Sequence, residues 1–264
     1  MAPNIVVVTG ANTGLGYAIV KGLLESSKTY HIYLGSRSAQ KGDEAVKKVC
    51  GEVPESKSTV ELLEIDVSSD ESVTKAADIV EKAHGRLDTL VNNAGVGFDS
   101  LFTTGQMSLR DSFNKTFDIN VASANVVTYT FAPLLIKSSD ARLIFLAGIG
   151  QITIAAENYF PTPPLPAGWP KEVGFETIAY RSSKVAMNLV MLDWNHKLKE
   201  DGVKVWSINP GFCATGLVDG NAETMSAMGA QPASVGAQNI ISAIEGNRDS
   251  DVGKCLDTDG LLPW

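Results

Sequence analysis

Cysteine is scarce in this chain: 264 residues hold three, Cys50, Cys213 and Cys255, far apart and without a CxxC pair. That pattern argues for scattered thiols in a reducing compartment rather than a disulfide framework. Histidine is no more common, and His31, His84 and His196 form no metal-ligand spacing with the cysteines. Positive charge is short as well, with 22 Lys and Arg against 30 Asp and Glu, a net charge of −8. A surface of that sign repels phosphate backbones and argues against a nucleic-acid partner, while leaving room for a local basic pocket. No apolar run approaches the length needed to cross a bilayer. Met1-Ala2-Pro3-Asn4 runs straight into the first expected strand and leaves no room for a leader. A cytoplasmic protein is therefore expected. What remains is an ordinary globular composition, 44% hydrophobic and 20% charged, in a chain long enough to bury a sizeable core.

Strand-like and helix-like segments alternate along the whole length. Ile5 to Val8, His31 to Leu34, Glu61 to Val67, Leu87 to Val91, Leu143 to Leu146 and Val203 to Ile208 read as strands, with a last short one around Cys255 and Leu256. Leu15 to Leu24, Asp43 to Cys50, Asp70 to Ala83, one long stretch from Arg110 to Ile136, Ala179 to Glu200 and Ser234 to Glu245 read as helices. Repeated β-α-β units predict an α/β fold, a Rossmann-type doubly wound parallel sheet in a single domain. Residues 151–177 break the rhythm. Five prolines (161, 163, 164, 166 and 170) fall there, between the fifth strand and its helix, where a long loop is expected to serve as a substrate lid.

The first strand leads into Thr9-Gly10-Ala11-Asn12-Thr13-Gly14-Leu15-Gly16 and then a helix. Glycines allow a tight turn and close approach of backbone to a pyrophosphate, and the helix N-terminus supplies free N–H groups. The second strand ends in Gly35-Ser36-Arg37, where an enzyme for NAD would place an acid against the ribose 2′-hydroxyl. A hydroxyl and a guanidinium there suit a 2′-phosphate instead, so NADP(H) is the expected cofactor. Asp66 and Val67 fit beside the adenine, and Asn93-Ala94-Gly95 can bring backbone against the adenosine ribose. Tyr180 and Lys184 lie four apart at the start of a helix and share one face. A lysine so placed can lower the phenol pKa, and a phenol can protonate a carbonyl oxygen as hydride reaches carbon.

In order and spacing, Thr9 to Gly16, Asn93-Ala94-Gly95, Asn120 and Tyr180/Lys184 resemble the short-chain dehydrogenase/reductase family over essentially the whole chain. Asn209-Pro210-Gly211, with Thr215 just after, resembles that family's nicotinamide-side loop. The resemblance implies that Tyr180 is the general acid, that Lys184 holds the nicotinamide ribose and tunes Tyr180, and that Asn120 supports a water relay behind Lys184. It also implies a homo-oligomer built on the Tyr180 helix and the long middle helix.

One member of the family's pattern is missing. The family ends its fifth strand with a serine that hydrogen-bonds the substrate oxygen, and here Ala147 and Gly148 stand at those positions. Thr153 and Gln151 are the nearest downstream donors. Loss of one donor to an oxyanion typically slows a reaction about 10²- to 10³-fold. An iminium acceptor escapes that cost, because it becomes neutral on taking hydride. The sequence also resembles fungal members of the family with altered catalytic residues. Some of these reduce a cyclic imine and guide a Diels–Alder cyclisation in indole-alkaloid biosynthesis. Pro163-Pro164-Leu165-Pro166-Ala167-Gly168-Trp169 resembles their substrate loop, with Pro166 where they carry an acid, and Trp169 would face a flat, polycyclic substrate. The expected function is an NADPH-dependent reductase of a carbonyl or cyclic imine. The alternatives are a cyclase that orients a reactive intermediate and a non-catalytic NADPH sensor.

Overall fold

Ile5, Val6, Val7 and Val8 have no polar partner in sequence because both faces of their strand are covered. In the computed structural model, which describes residues 3–147, 152–157, 165–171, 176–217, 221–258 and 260–264, this strand is β1 (Asn4–Val8). There follow α1 (Gly14–Leu24), β2 (Tyr30–Ser36), α2 (Ala39–Glu52), β3 (Thr59–Glu64), α3 (Asp70–His84) and β4 (Thr89–Asn92). Next come α4 (Asp99–Thr103), α5 (Leu109–Phe117), a π-helical turn (Asp118–Ser123), α6 (Ala124–Leu135), β5 (Arg142–Leu146), α7 (Ile152–Glu157) and α8 (Ile178–Lys197). The chain closes with β6 (Lys204–Ile208), β7 (Cys213–Ala214), α9 (Ala222–Ala227), β8 (Gln231–Pro232), α10 (Ala233–Ile244), β9 (Cys255–Asp257) and β10 (Gly260–Leu262).

The main sheet runs β10-β9-β6-β5-β4-β1-β2-β3, and the doubly wound fold is as expected. From β1 the chain builds outward through β2 and β3, then returns to β4 on the other side of β1. Helices leave in opposite directions at that point, which opens a crevice beyond the strands' C-terminal ends. Register keeps those ends level, with Val8 paired to Leu34 on one side and Val91 on the other. One core lies on each face. Val7, Leu90, Phe131, Met187 and Val205 belong to one, and Val8, Ile19, Leu34, Ile144, Trp206 and Ile240 to the other. Burying each such side chain contributes about 1.5–3 kcal/mol against the chain entropy.

Three expectations need correction. The sheet is not wholly parallel, because β10 folds back antiparallel on β9, pairing Leu261 with Leu256. The single helix expected from Arg110 to Ile136 is interrupted by the π turn, and Asn120 sits in that turn. The lid segment is not all loop, since α7 occupies part of it. Elements of five or six residues such as α4, α7 and α9 are too short to show a period in sequence. Among the described residues, no helix is long and apolar enough to cross a membrane.

Candidate active site

The turn after β1 is built for backbone approach. Gly10 and Gly14 hold φ of +61° and +59°, a region that disfavours other residues. A Cβ at Gly16 would fall 2.5 Å from Asn93 Nδ2 and 2.7 Å from Ala11 Cα, so only glycine fits where α1 meets the turn. Thr13, the residue before α1, makes no side-chain cap, and the first turn carries no acid. The N-terminal N–H groups of α1 therefore have no anionic neighbour of their own, as a pyrophosphate site requires. Asn12 lies in this turn and Leu15 in the first turn of α1, both half-buried.

Thr9 ties the turn to the end of β4. Its Oγ1 donates to Val91 O at 3.3 Å and accepts from the N–H of Asn93 and of Ala94, each at 3.0 Å. Asn93 returns the tie, its Nδ2 donating to Thr9 O at 2.7 Å and Gly10 O at 3.0 Å. A Cβ on Gly10 would meet Ala94 Cα at 3.0 Å. From the other side Thr215 closes on Gly14, at 3.4 Å from where a Cβ would stand. Pro210 and Gly211 precede it, with Gly211 at φ +78° and Gln231 Nε2 donating to Pro210 O at 2.9 Å.

The end of β2 is occupied differently from expectation. Ser36 is 1% exposed, and its Oγ donates to Ser38 O at 2.9 Å. Its hydroxyl serves the turn, and the exposed Arg37 is the side chain of the pair left to meet an anion. Asp66 accepts from Ser68 N at 3.0 Å and Ser68 Oγ at 2.7 Å. These bonds, with Arg37 nearby, hold its carboxyl below the usual range. Val67 packs against the core beside it.

Tyr180, Lys184 and Asn120 come together around the segment after β4. A Cβ on Gly95 would lie 3.3 Å from Asn120 Oδ1 and 3.7 Å from Lys184 Nζ, and one on Gly97 would meet the Tyr180 ring at 3.6 Å. Asn120 is fully buried. Its Oδ1 accepts from Val96 N at 2.8 Å, and its Nδ2 donates to Val96 O and to Ser183 Oγ, both at 2.9 Å. The π turn gives this asparagine its position, and such turns recur at functional sites. Lys184 Nζ donates to Leu146 O at 2.7 Å and lies 5.5 Å from the centre of the Tyr180 ring. Burial pulls the Lys184 pKa down to about 8. The phenol departs from expectation. Burial pushes the Tyr180 pKa up and Cys213 adds to the rise.

Ala147 closes β5 at 2% exposure, its N–H donating to Ile208 O at 3.0 Å and Phe145 O at 3.1 Å. Gly148, Gln151 and Pro163-Pro164 lie outside the described residues. Thr153, the nearest described downstream donor, directs both its N–H and its hydroxyl at Trp264 O. Trp169 is 87% exposed, so it packs as no lid anchor on the domain. The residues that sequence reasoning missed are Ser183 and Asp99. Asp99 accepts from the backbone of Ala179 and Tyr180, a link between segments 80 residues apart that no local pattern reveals.

The sequence profile described as short chain dehydrogenase matches residues 4–155. The short-chain dehydrogenase/reductase tropE of Talaromyces stipitatus is 42% identical over 259 residues, covering 97% of this chain and 96% of that protein. The short-chain dehydrogenase/reductase eupG of a Phoma species is 39% identical over 271 residues, covering 98% and 97%. In fold, the NADPH-bound carbonyl reductase from chicken fatty liver superposes with a TM-score of 0.78 at 20% identity, covering 100% of both chains. With the profile matched over more than half of its length and relatives 39–42% identical along nearly all of it, the chain belongs to the short-chain dehydrogenase/reductase family.

Proposed function

We propose that the chain is an NADPH-dependent reductase transferring hydride to a carbonyl or cyclic imine of a small molecule in fungal secondary metabolism. The observation that carries this reading is the convergence of Tyr180, Lys184 and Asn120 on Gly95 and Gly97, at the end of β4 where the crevice opens. Gly10 to Gly16, Arg37, Asp66, Val67, Asn93 to Gly95, Lys184, Pro210, Gly211 and Thr215 would hold the dinucleotide, with the Arg37 guanidinium on a 2′-phosphate. The relatives named above and the NADPH of the chicken enzyme support that assignment. NADPH supplies a hydride when bound. Tyr180, whose pKa is pushed up, stays protonated at neutral pH and so holds the proton a carbonyl oxygen must receive. Lys184, tied to Leu146 O and 5.5 Å from the centre of the Tyr180 ring, would hold the nicotinamide ribose beside the phenol.

A second reading, reduction of a cyclic iminium, draws on Ala147. An iminium needs neither the absent hydroxyl nor a proton, and the exposed Trp169 offers a flat aromatic face to a polycyclic substrate. Tyr180→Phe separates the two. Loss of NADPH absorbance is followed with phenanthrenequinone, aromatic ketones and a dihydroisoquinolinium. A carbonyl reductase loses about 10²- to 10⁴-fold in kcat/KM without the phenol. Unchanged turnover of the best substrate sinks the proton-donor role and favours the iminium. A wild-type protein that oxidises NADPH with no member of the panel ends the reductase reading and revives the sensor. A cyclase would reveal itself by a single product enantiomer formed without NADPH. We also infer a homo-oligomer through the apolar outer face of α8 and α6, where Leu189 is 70% and Tyr129 75% exposed. A monomeric mass in light scattering would refute it.

A further inference from the structure

The helix that carries Tyr180 does not cap itself. Thr177, the residue before α8, makes no side-chain cap, and the first turn of α8 holds no acid. The first backbone bond of the helix runs from Arg181 N to Thr177 O at 2.8 Å. Four N–H groups ahead of it need other acceptors. Glu176 Oε1 takes two, from Thr177 at 2.9 Å and Ile178 at 3.0 Å. Asp99 takes the other two across the fold, Oδ1 from Ala179 at 2.8 Å and Oδ2 from Tyr180 at 3.0 Å. Asp99 is 5% exposed and opens α4, just past Gly97, which packs on the Tyr180 ring. An ionised carboxylate buried there is stabilised by the two N–H donors and the positive end of α8.

We propose that Asp99 is a positioning residue for the reaction: by anchoring the Tyr180 backbone it fixes the reach of the phenol toward the substrate. The inference rests on Tyr180 acting as proton donor. It differs from general support of the helix, because the rest of the site is held independently. One turn on, α8 bonds to itself, Ser183 is tied to Asn120, and Lys184 Nζ is tied to Leu146 O. Loss of the Asp99 carboxylate therefore releases the N–H side of Tyr180, whose carbonyl stays tied to Ser183 Oγ, and leaves Lys184, the cofactor-side member of the pair, in place.

The variant that tests this is Asp99→Asn, which conserves volume, keeps one acceptor and turns an NH2 toward the second N–H. Amide hydrogen exchange is read by NMR across residues 177–184, and kinetics with NADPH and phenanthrenequinone. The expected result is about 10-fold faster exchange at Ala179 and Tyr180 and a kcat lower by about 10- to 100-fold, since small misplacements of a reacting group carry that cost. KM for NADPH stays within about two-fold, because misplacing the proton donor alone leaves ground-state cofactor binding intact. Exchange that does not change, a kcat that does not fall, or a KM for NADPH that rises in step with the loss of kcat overturns the proposal. If the variant does not fold, the wild-type protein still decides it. Tyr180 N–H, held by a buried carboxylate, must exchange more slowly than Thr177 N–H, held by half-buried Glu176, and equal rates overturn the anchor. A wild-type protein without turnover on carbonyls defeats the proton-donor role of Tyr180, and the exchange measurements then judge the anchor by themselves.

Discussion

Asn120 Nδ2 donates to Ser183 Oγ at 2.9 Å, and the same hydroxyl donates to Tyr180 O at 2.7 Å. The π turn thus braces α8 between the two residues that would handle the proton and the cofactor. Asn120 also satisfies both the N–H and the carbonyl of Val96. Asn120→Ala leaves these buried groups unpaired. Stability should fall by about 2–4 kcal/mol, or roughly 5–15 °C in Tm. Ser183→Ala, which costs Asn120 only one of its partners, should lose about 1 kcal/mol. Thermal melts of the two variants check the order, and an Asn120→Ala protein as stable as wild type would show that the brace carries no load.

Arg37 is the exposed cation at the end of β2, and Ser36 beside it is buried in its own turn. Arg37→Ala should therefore reduce kcat/KM for NADPH by about 10- to 100-fold, the worth of one or two charge-assisted hydrogen bonds. NADH, which lacks the 2′-phosphate, should be used as before. Steady-state kinetics with both cofactors give the answer, and equal losses for the two would mean that Arg37 supports the turn rather than the phosphate.

The fold was legible because it is written in local signals: apolar runs for the covered strands, amphipathic helices between them, and glycines whose missing Cβ atoms the structure accounts for at Gly10 and Gly16. The sequence also placed Tyr180, Lys184 and Asn120, which the structure brings to one point. The rest depended on distance along the chain. The Ser36 hydroxyl, read as a cofactor ligand, is bonded to Ser38 O within its own turn, a local contact the sequence did not announce. The Thr153 hydroxyl, read as one candidate substitute donor, meets Trp264 O across the chain. Asp99 gave no signal, because its partners lie on a helix 80 residues away. The Tyr180 pKa was expected to fall beside a lysine, yet the desolvation that raises it depends on every neighbour packed around the ring.

His84 gives the chain a pH-dependent term unrelated to the active site. Its Nε2 lies 3.0 Å from Tyr33 Oη, and its ring centre is 4.7 Å from that of His31. Burial, followed by repulsion from His31, pushes its pKa down. The unfolded chain takes up a proton near the ordinary histidine pKa of about 6.5, where the folded chain still resists. Below that pH the unfolded state binds more protons, so stability falls with pH. Urea denaturation should show lower stability at about pH 5.5 than at about pH 7.5, part of the loss attributable to this residue. His84→Gln should flatten that part of the slope, and an unaltered slope would assign it to other groups.

Ala147→Ser restores a hydroxyl where β5 ends and decides which acceptor the site was shaped for. The position is 2% exposed and its backbone N–H is already paired with Ile208 O and Phe145 O, so the substitution adds one oxygen without disturbing the strand. If the acceptor is a carbonyl, the new donor meets charge that develops on oxygen, and kcat on phenanthrenequinone should rise about 10-fold or more. If it is an iminium, positive charge disappears from the substrate as hydride arrives. A hydroxyl then has nothing to stabilise, and turnover of a dihydroisoquinolinium should stay level. Tm measured alongside guards against a trivial loss, since a buried hydroxyl without a partner costs about 1–3 kcal/mol. A folded variant that leaves quinone reduction unaccelerated counts against a carbonyl acceptor in want of a donor here, and one that accelerates it counts against the iminium.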